Sequence, residues 1–174
     1  MDCLVGTKQM VEVFDCPYIS KANNKKFQQD LIKYTKETKC CDEKNCNHPK
    51  IQSDLKIDQA FSVIDDSINN LFKTYLGTDN FIFTKKNVWG YYASKDSQLQ
   101  SVVHNHMFKK QKGLQLSAVM YITPTKLGTD FTEFKIKPEI NKWYLWHSGL
   151  FHKPEDGVTP KDRIVLALSS VISI

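Results

Sequence analysis

The chain divides according to the period of its apolar positions. Val11-Glu12-Val13-Phe14 alternates apolar and polar residues, which predicts a short strand ending near Pro17. From about Ser20 to Lys39 the period lengthens. Phe27, Leu31 and Tyr34 recur at helical spacing, and Ser20 can cap the helix they predict. Cys40 to Ser53 is polar and holds Pro49, so it reads as a loop. A second helix is predicted from Leu55 to Leu76. Ile57, Ala60, Phe61, Ile64, Ile68, Leu71, Phe72 and Tyr75 form its apolar stripe, with Asp54 as cap and Gly77 as stop. After Gly77 the pattern becomes β-like. Short runs at Phe81–Phe83, Val88–Tyr92, Leu99–Met107, Leu114–Thr123, Phe131–Ile136, Trp143–His147 and Arg163–Ile174 are separated by Gly, Pro, Asn, Asp and Lys. That spacing fits an antiparallel sandwich or barrel carrying two N-terminal helices, all in one domain.

Composition narrows the setting. No run of about 18 apolar residues exists, so no membrane span is expected. Asp2 stands where a signal peptide needs basic charge, and five cysteines, an odd number, suit a reducing compartment; a cytoplasmic protein is expected. The net charge of +5 permits an acidic partner without demanding one. The chain has a single arginine, Arg163, among 23 lysines. Such a bias, with abundant Asn and Ile, points to an AT-rich genome such as that of a phage, another virus or an AT-rich bacterium. Against that background the one planar, two-pronged donor is a position to explain, and a carboxylate-gripping site is one explanation.

Candidate chemistry sits in the β half. His104 and His106 are two apart on a predicted strand, which puts both on one face. His152 closes the run Trp146 to His152, and Arg163 opens the next strand eleven residues later. Two ligands on one strand and a third on a distant strand is how a sandwich builds a metal site, and imidazole suits iron, zinc, copper or nickel. His147 lies an odd number of residues from His152, so it is expected on the other face of its strand and off the metal.

In these pieces the sequence resembles the 2-oxoglutarate- and Fe(II)-dependent dioxygenases, in particular small phage-type oxygenases related to prolyl hydroxylases. The matching segments are Asn87-Val88-Trp89, His104-Asn105-His106, Ser117 to Ile122, Gly128-Thr129-Asp130-Phe131 and Trp146 to His152 followed by Arg163. The resemblance spans about Asn87 to Ile174. It implies an α+β, mainly β fold: a double-stranded β-helix (jelly roll, cupin-like) over residues 78–174, with residues 1–77 as a helical support region. It implies Fe(II) on His104 and His152, 2-oxoglutarate gripped by Arg163, Tyr121 lining the cosubstrate pocket, and O2 as the second cosubstrate. The implied reaction is hydroxylation with release of succinate and CO2. The substrate is left open between peptide, nucleotide or nucleic acid, and metabolite.

Two positions depart from the family pattern. His106 stands where relatives carry Asp or Glu, so the third ligand is either His106 itself or an acid elsewhere, such as Asp130 or Glu133. Val165 stands where relatives often place a serine that assists the arginine. Two other functions therefore stay open: a three-histidine, cupin-type dioxygenase that needs no oxo acid, and a non-catalytic jelly-roll binding protein. The Cys40-Cys41-x4-Cys46-x-His48 cluster has poor spacing for zinc and is expected to be a polar loop with free thiols. Lys109, Lys110 and Lys112 read as a solvated turn that would favour an acidic substrate if it rims the site.

Overall fold

The computed structural model describes residues 10–39 and 51–174. The cysteine–histidine cluster at 40–48 lies outside them. The strands are β1 (Val11–Asp15), β2 (Ile51–Gln52), β3 (Ile82–Ala93), β4 (Gln98–Leu99), β5 (Leu114–Tyr121), β6 (Thr129–Phe131), β7 (Lys135–Ile136), β8 (Lys142–His147), β9 (His152–Pro154), β10 (Gly157–Val158) and β11 (Arg163–Ser173). The helices are α1 (Pro17–Ala22), α2 (Lys25–Glu37), α3 (Ile57–Ala60) and α4 (Ser62–Leu76).

A six-stranded antiparallel sheet runs in the order β1-β8-β5-β11-β3-β2. Facing it is a smaller sheet, β7-β6-β9, with β10-β4 as a separate pair. Phe131 of β6 meets Trp146 of β8 edge to face at 5.3 Å. Tyr121 of β5 shares a 2.8 Å hydrogen bond with Thr129 of β6. Two sheets closed over a shared interior form the double-stranded β-helix, with helices on the outside of the larger sheet.

Alternation assigns each strand residue to one of two cores. On β5, β8 and β11 the residues Leu116, Ala118, Met120, Trp143, Leu145, Ile164, Leu166 and Leu168 face the helices and pack with Ile19, Leu31, Ile64, Ile68 and Phe72. Their neighbours Val119, Tyr121, Tyr144, Trp146 and Val165 face inward and pack with Phe131 and Ile136 of the small sheet. β11 is central and buried on both faces, which explains its nearly unbroken apolar run Ile164 to Leu168. Gly90 lets α2 lie close against β3, since a Cβ there would sit 2.8 Å from the Thr35 hydroxyl. Lys86 ties the helices to β3 through ion pairs with Asp58 (2.7 Å) and Asp65.

Several elements differ in detail from the sequence expectation. The helix expected from Ser20 is two helices, capped differently. Pro17 opens α1, and Asn24 caps α2 by accepting from the Phe27 amide at 3.0 Å. Asn23 breaks the run because its amide donates to the Ile122 carbonyl (2.8 Å) and to Asn141 (2.7 Å) on the barrel. The second expected helix also breaks, at the extended residue Phe61, and Asp54 is not its N-cap residue. Gly77 does stop it in the left-handed conformation, with φ of 67°. The two short runs before Tyr92 merge into β3, and Phe131–Ile136 splits into β6 and β7. Leu99–Met107 is not a strand: beyond β4 its ladder contact is a single bridge between His104 and His152.

Candidate metal centre

The irregular segment that carries His104 and His106 is held by backbone bonds to the start of β9, at His152, and to the turn before it. The His104 amide donates to the His152 carbonyl at 2.9 Å, and the His152 amide returns the bond at 2.8 Å. The His106 amide donates to the Ser148 carbonyl at 3.0 Å. Ser148 is anchored in turn to β5, by its amide to the Gln115 carbonyl (3.0 Å) and by its hydroxyl to Ser117 (2.8 Å). A stretch too irregular to be a strand is thereby fixed against the main sheet.

These bonds bring three imidazoles together. The ring centroids of His104, His106 and His152 lie 4.9–5.0 Å apart. One candidate ligand atom from each lies within 4.8 Å of the others, and this is the only such trio of His, Cys, Asp or Glu among the described residues. Nδ1 of His104 lies 2.9 Å from the Val102 carbonyl, and Nδ1 of His152 lies 2.9 Å from the Leu150 carbonyl. A carbonyl only accepts, so each Nδ1 donates and each Nε2 keeps its lone pair for an ion. Burial, and then the neighbouring His152 and His104, push the His106 pKa down to about 3. Burial pushes His152 down to about 4, against the bond to Leu150. Both are neutral near pH 7. Three convergent imidazole nitrogens, with the Nδ1 groups of His104 and His152 oriented, fit a first-row divalent ion such as Fe(II).

Arg163 opens β11 and is 4 % exposed. Its guanidinium stands over the Tyr121 ring, 5.8 Å from the centroid, and Nη2 donates to the Leu127 carbonyl at 3.4 Å. Its Nε has no partner, and burial lowers its pKa. A buried guanidinium this poorly satisfied favours an anion in plane with it. Tyr121 is fully buried beneath it, and burial raises that phenol to about 12, so it stays protonated and can donate. Arg163, Thr129, Trp89 and all three histidines line one cavity inside the barrel.

The other candidates lie elsewhere. On β6, alternation sends Thr129 inward and turns Asp130 away, into an ion pair with Lys135 at 3.3 Å. Glu133 is in the exposed turn after it. His147 is exposed, and its Nδ1 accepts from the Gly149 amide at 3.1 Å. Val165 lines the cavity two residues after Arg163. Lys109, Lys110 and Lys112 are exposed beyond His106. Sequence reasoning did not single out Thr129 or Ser169. Ser169 is 2 % exposed, with an unpartnered hydroxyl, on the inward face of β11. The available signal was the even offset from Arg163.

No family model matches the chain, and no curated protein does. Solved structures do. The viral collagen prolyl hydroxylase vCPH of Paramecium bursaria Chlorella virus-1, in complex with 2-oxoglutarate, superposes with a TM-score of 0.61 at 14% identity, over 98% of this chain and 99% of that one. A prolyl hydroxylase of Trichoplax adhaerens, bound to a hypoxia-inducible-factor fragment, gives 0.60 at 13%, over 93% and 83%. HygX of Streptomyces hygroscopicus, with nickel and 2-oxoglutarate, gives 0.58 at 12%, over 93% and 82%. At these identities the likeness establishes the fold, the double-stranded β-helix of the 2-oxoglutarate–Fe(II) oxygenases.

Proposed function

We propose that the protein is a non-haem, Fe(II)- and 2-oxoglutarate-dependent oxygenase that hydroxylates its substrate with release of succinate and CO2. The observation that carries this reading is the convergence of three imidazoles and one under-satisfied, buried guanidinium in a single cavity. Support comes from the fold, which is that of proteins crystallised with 2-oxoglutarate and, in HygX, nickel.

His104, His106 and His152 would hold the metal, with His106 and His152 presenting a lone pair without first losing a proton. The bound iron and oxo acid together supply oxygen activation. Arg163 pairs with the far carboxylate of the oxo acid and fixes its orientation. Tyr121 and Thr129 brace that end through their mutual hydrogen bond, and Val165 and Trp146 keep water from it. The arrangement reads as one domain, with residues 78–174 forming the jelly-roll core and the described part of residues 1–77 supporting it. No helix among the described residues is long and apolar enough to cross a membrane. A cytoplasmic location, in a host cell if the source is viral, is part of this reading. The lysine-for-arginine bias and a viral protein among the structural neighbours support a viral source.

The test is metal analysis of purified protein followed by succinate release from 2-oxoglutarate with Fe(II). Succinate that depends on both, and metal lost in His104→Ala, is the expected result; metal retained in that variant overturns the ligand assignment. The replacement of the family carboxylate by His106 favours one second reading, a three-histidine dioxygenase that needs no oxo acid. It requires oxygen uptake without 2-oxoglutarate and indifference to Arg163→Ala.

A further inference from the structure

A groove adjoins the metal cavity on the side away from Arg163. Asn87, Trp89, Tyr91, Phe108, Ser169 and Gln52 line it, together with His104 and His106. Its floor holds two unpartnered donors, Trp89 Nε1 and Ser169 Oγ, on residues 4 % and 2 % exposed. Native proteins rarely leave such atoms unpaired, so a ligand that accepts at the floor is indicated. Tyr91 and Phe108 are half-buried aromatic walls, and Asn87 and Gln52 each offer both a donor and an acceptor.

The rim is cationic. From Phe81 to Thr129 the chain holds seven lysines and one acid, Asp96. Asp96 pairs with Lys95, and Lys86 is held by Asp58 and Asp65. Lys85 instead stands over the Phe108 ring, 4.8 Å from its centroid. Lys109 and Lys110 project from the turn that follows Phe108. Gln115 clamps that turn: its side chain accepts from the Phe108 amide at 2.8 Å and donates to the Phe108 and Gln111 carbonyls at 3.2 and 3.1 Å. No acidic side chain lines the groove or the metal cavity. The charge count agrees. A divalent ion on neutral imidazoles beside Arg163 carries three positive charges, and a doubly ionised oxo acid cancels only two.

We propose that this groove binds a nucleotide unit, with the base against the aromatic walls and floor donors and its phosphate on Lys85, Lys109 and Lys110. The proposal names the substrate class for the oxygenase reading and rests on it for the reaction, though not for binding. Aromatic walls, base-edge amides and a flexible lysine rim are what a single-stranded nucleotide uses. An acidic peptide would use the lysines but leave the aromatic walls idle.

The test is fluorescence anisotropy of a labelled thymidine dodecamer on the nickel-loaded protein, with polyglutamate and free thymidine monophosphate as competitors. Binding should weaken steeply with salt. It should fall at least about tenfold in the double variant Lys109→Glu, Lys110→Glu, and also in Ser169→Ala, with nickel content unchanged. Competition by the monophosphate at equal nucleotide concentration assigns a free nucleotide; its failure assigns a strand. No anisotropy change, displacement by polyglutamate at matched charge, or unchanged binding by the lysine variant overturns the proposal. The same samples are titrated with 2-oxoglutarate by calorimetry. Oxo acid binding without oligonucleotide binding sinks the substrate class alone, and the reverse sinks the oxygenase reading alone.

Discussion

The two faces of the large sheet are built from the same strands and do opposite work. The outer face meets the helices through Leu116, Met120, Leu166 and Phe72, all closely packed and apolar. The inner face carries Arg163 and most of the buried polar atoms without partners, Trp89 Nε1, Trp146 Nε1, Arg163 Nε and Ser169 Oγ, and it looks across the cavity to the three histidines. One face stores stability, and the other withholds some of it in groups that wait for ligands. Chemistry is tolerated inside the barrel because the helix-packed side keeps the strands in place.

Substitutions should separate the faces. The largest stability loss is expected on the outer face. Phe72→Ala, which removes a fully buried ring packed edge to face on Phe83 at 5.0 Å, should cost about 3–5 kcal/mol by denaturant unfolding. The folded fraction should still bind nickel normally. In the cavity, His152→Ala and Arg163→Ala should barely move the unfolding midpoint of the ligand-free protein. His152→Ala should weaken metal binding by about a hundredfold or more, and Arg163→Ala should raise the 2-oxoglutarate requirement by a similar factor. A midpoint drop in either variant as large as that of Phe72→Ala would erase the distinction.

Between pH 6.5 and about 4, acid should act chiefly on the histidines of the cavity. His106 and His152 have folded pKa values of about 3 and about 4, below the ordinary 6.5. The unfolded chain therefore takes up protons first as pH falls. The metal-free protein should hold its full stability from these groups above pH 6.5 and lose roughly 1 kcal/mol per pH unit for each histidine below it, levelling off near the folded values. Unfolding curves of His106→Asn should show a shallower pH slope. Gly90→Ala, which drives a methyl at the Thr35 hydroxyl, should cost about 1–3 kcal/mol without touching metal affinity. Asn24→Ala, at the cap of α2, should cost about 1 kcal/mol.

The fold class, the helix-then-strand order and the stop at Gly77 were legible in the chain alone, because burial of one face imposes a period that can be read directly. The sequence also marked His104, His106, His152 and Arg163, because few residue types can hold a metal or grip a carboxylate. It took the folded chain to show that His104 and His106 reach the cavity from an irregular segment bonded to β9 and the turn before it, and that Asp130 turns away into Lys135. Those outcomes rest on hydrogen bonds between residues far apart in the chain, and on which way one short strand alternates. Breaks at Asn23 and Phe61 were hidden for the same reason: Asn23 spends its amide on a distant carbonyl, which no local pattern encodes.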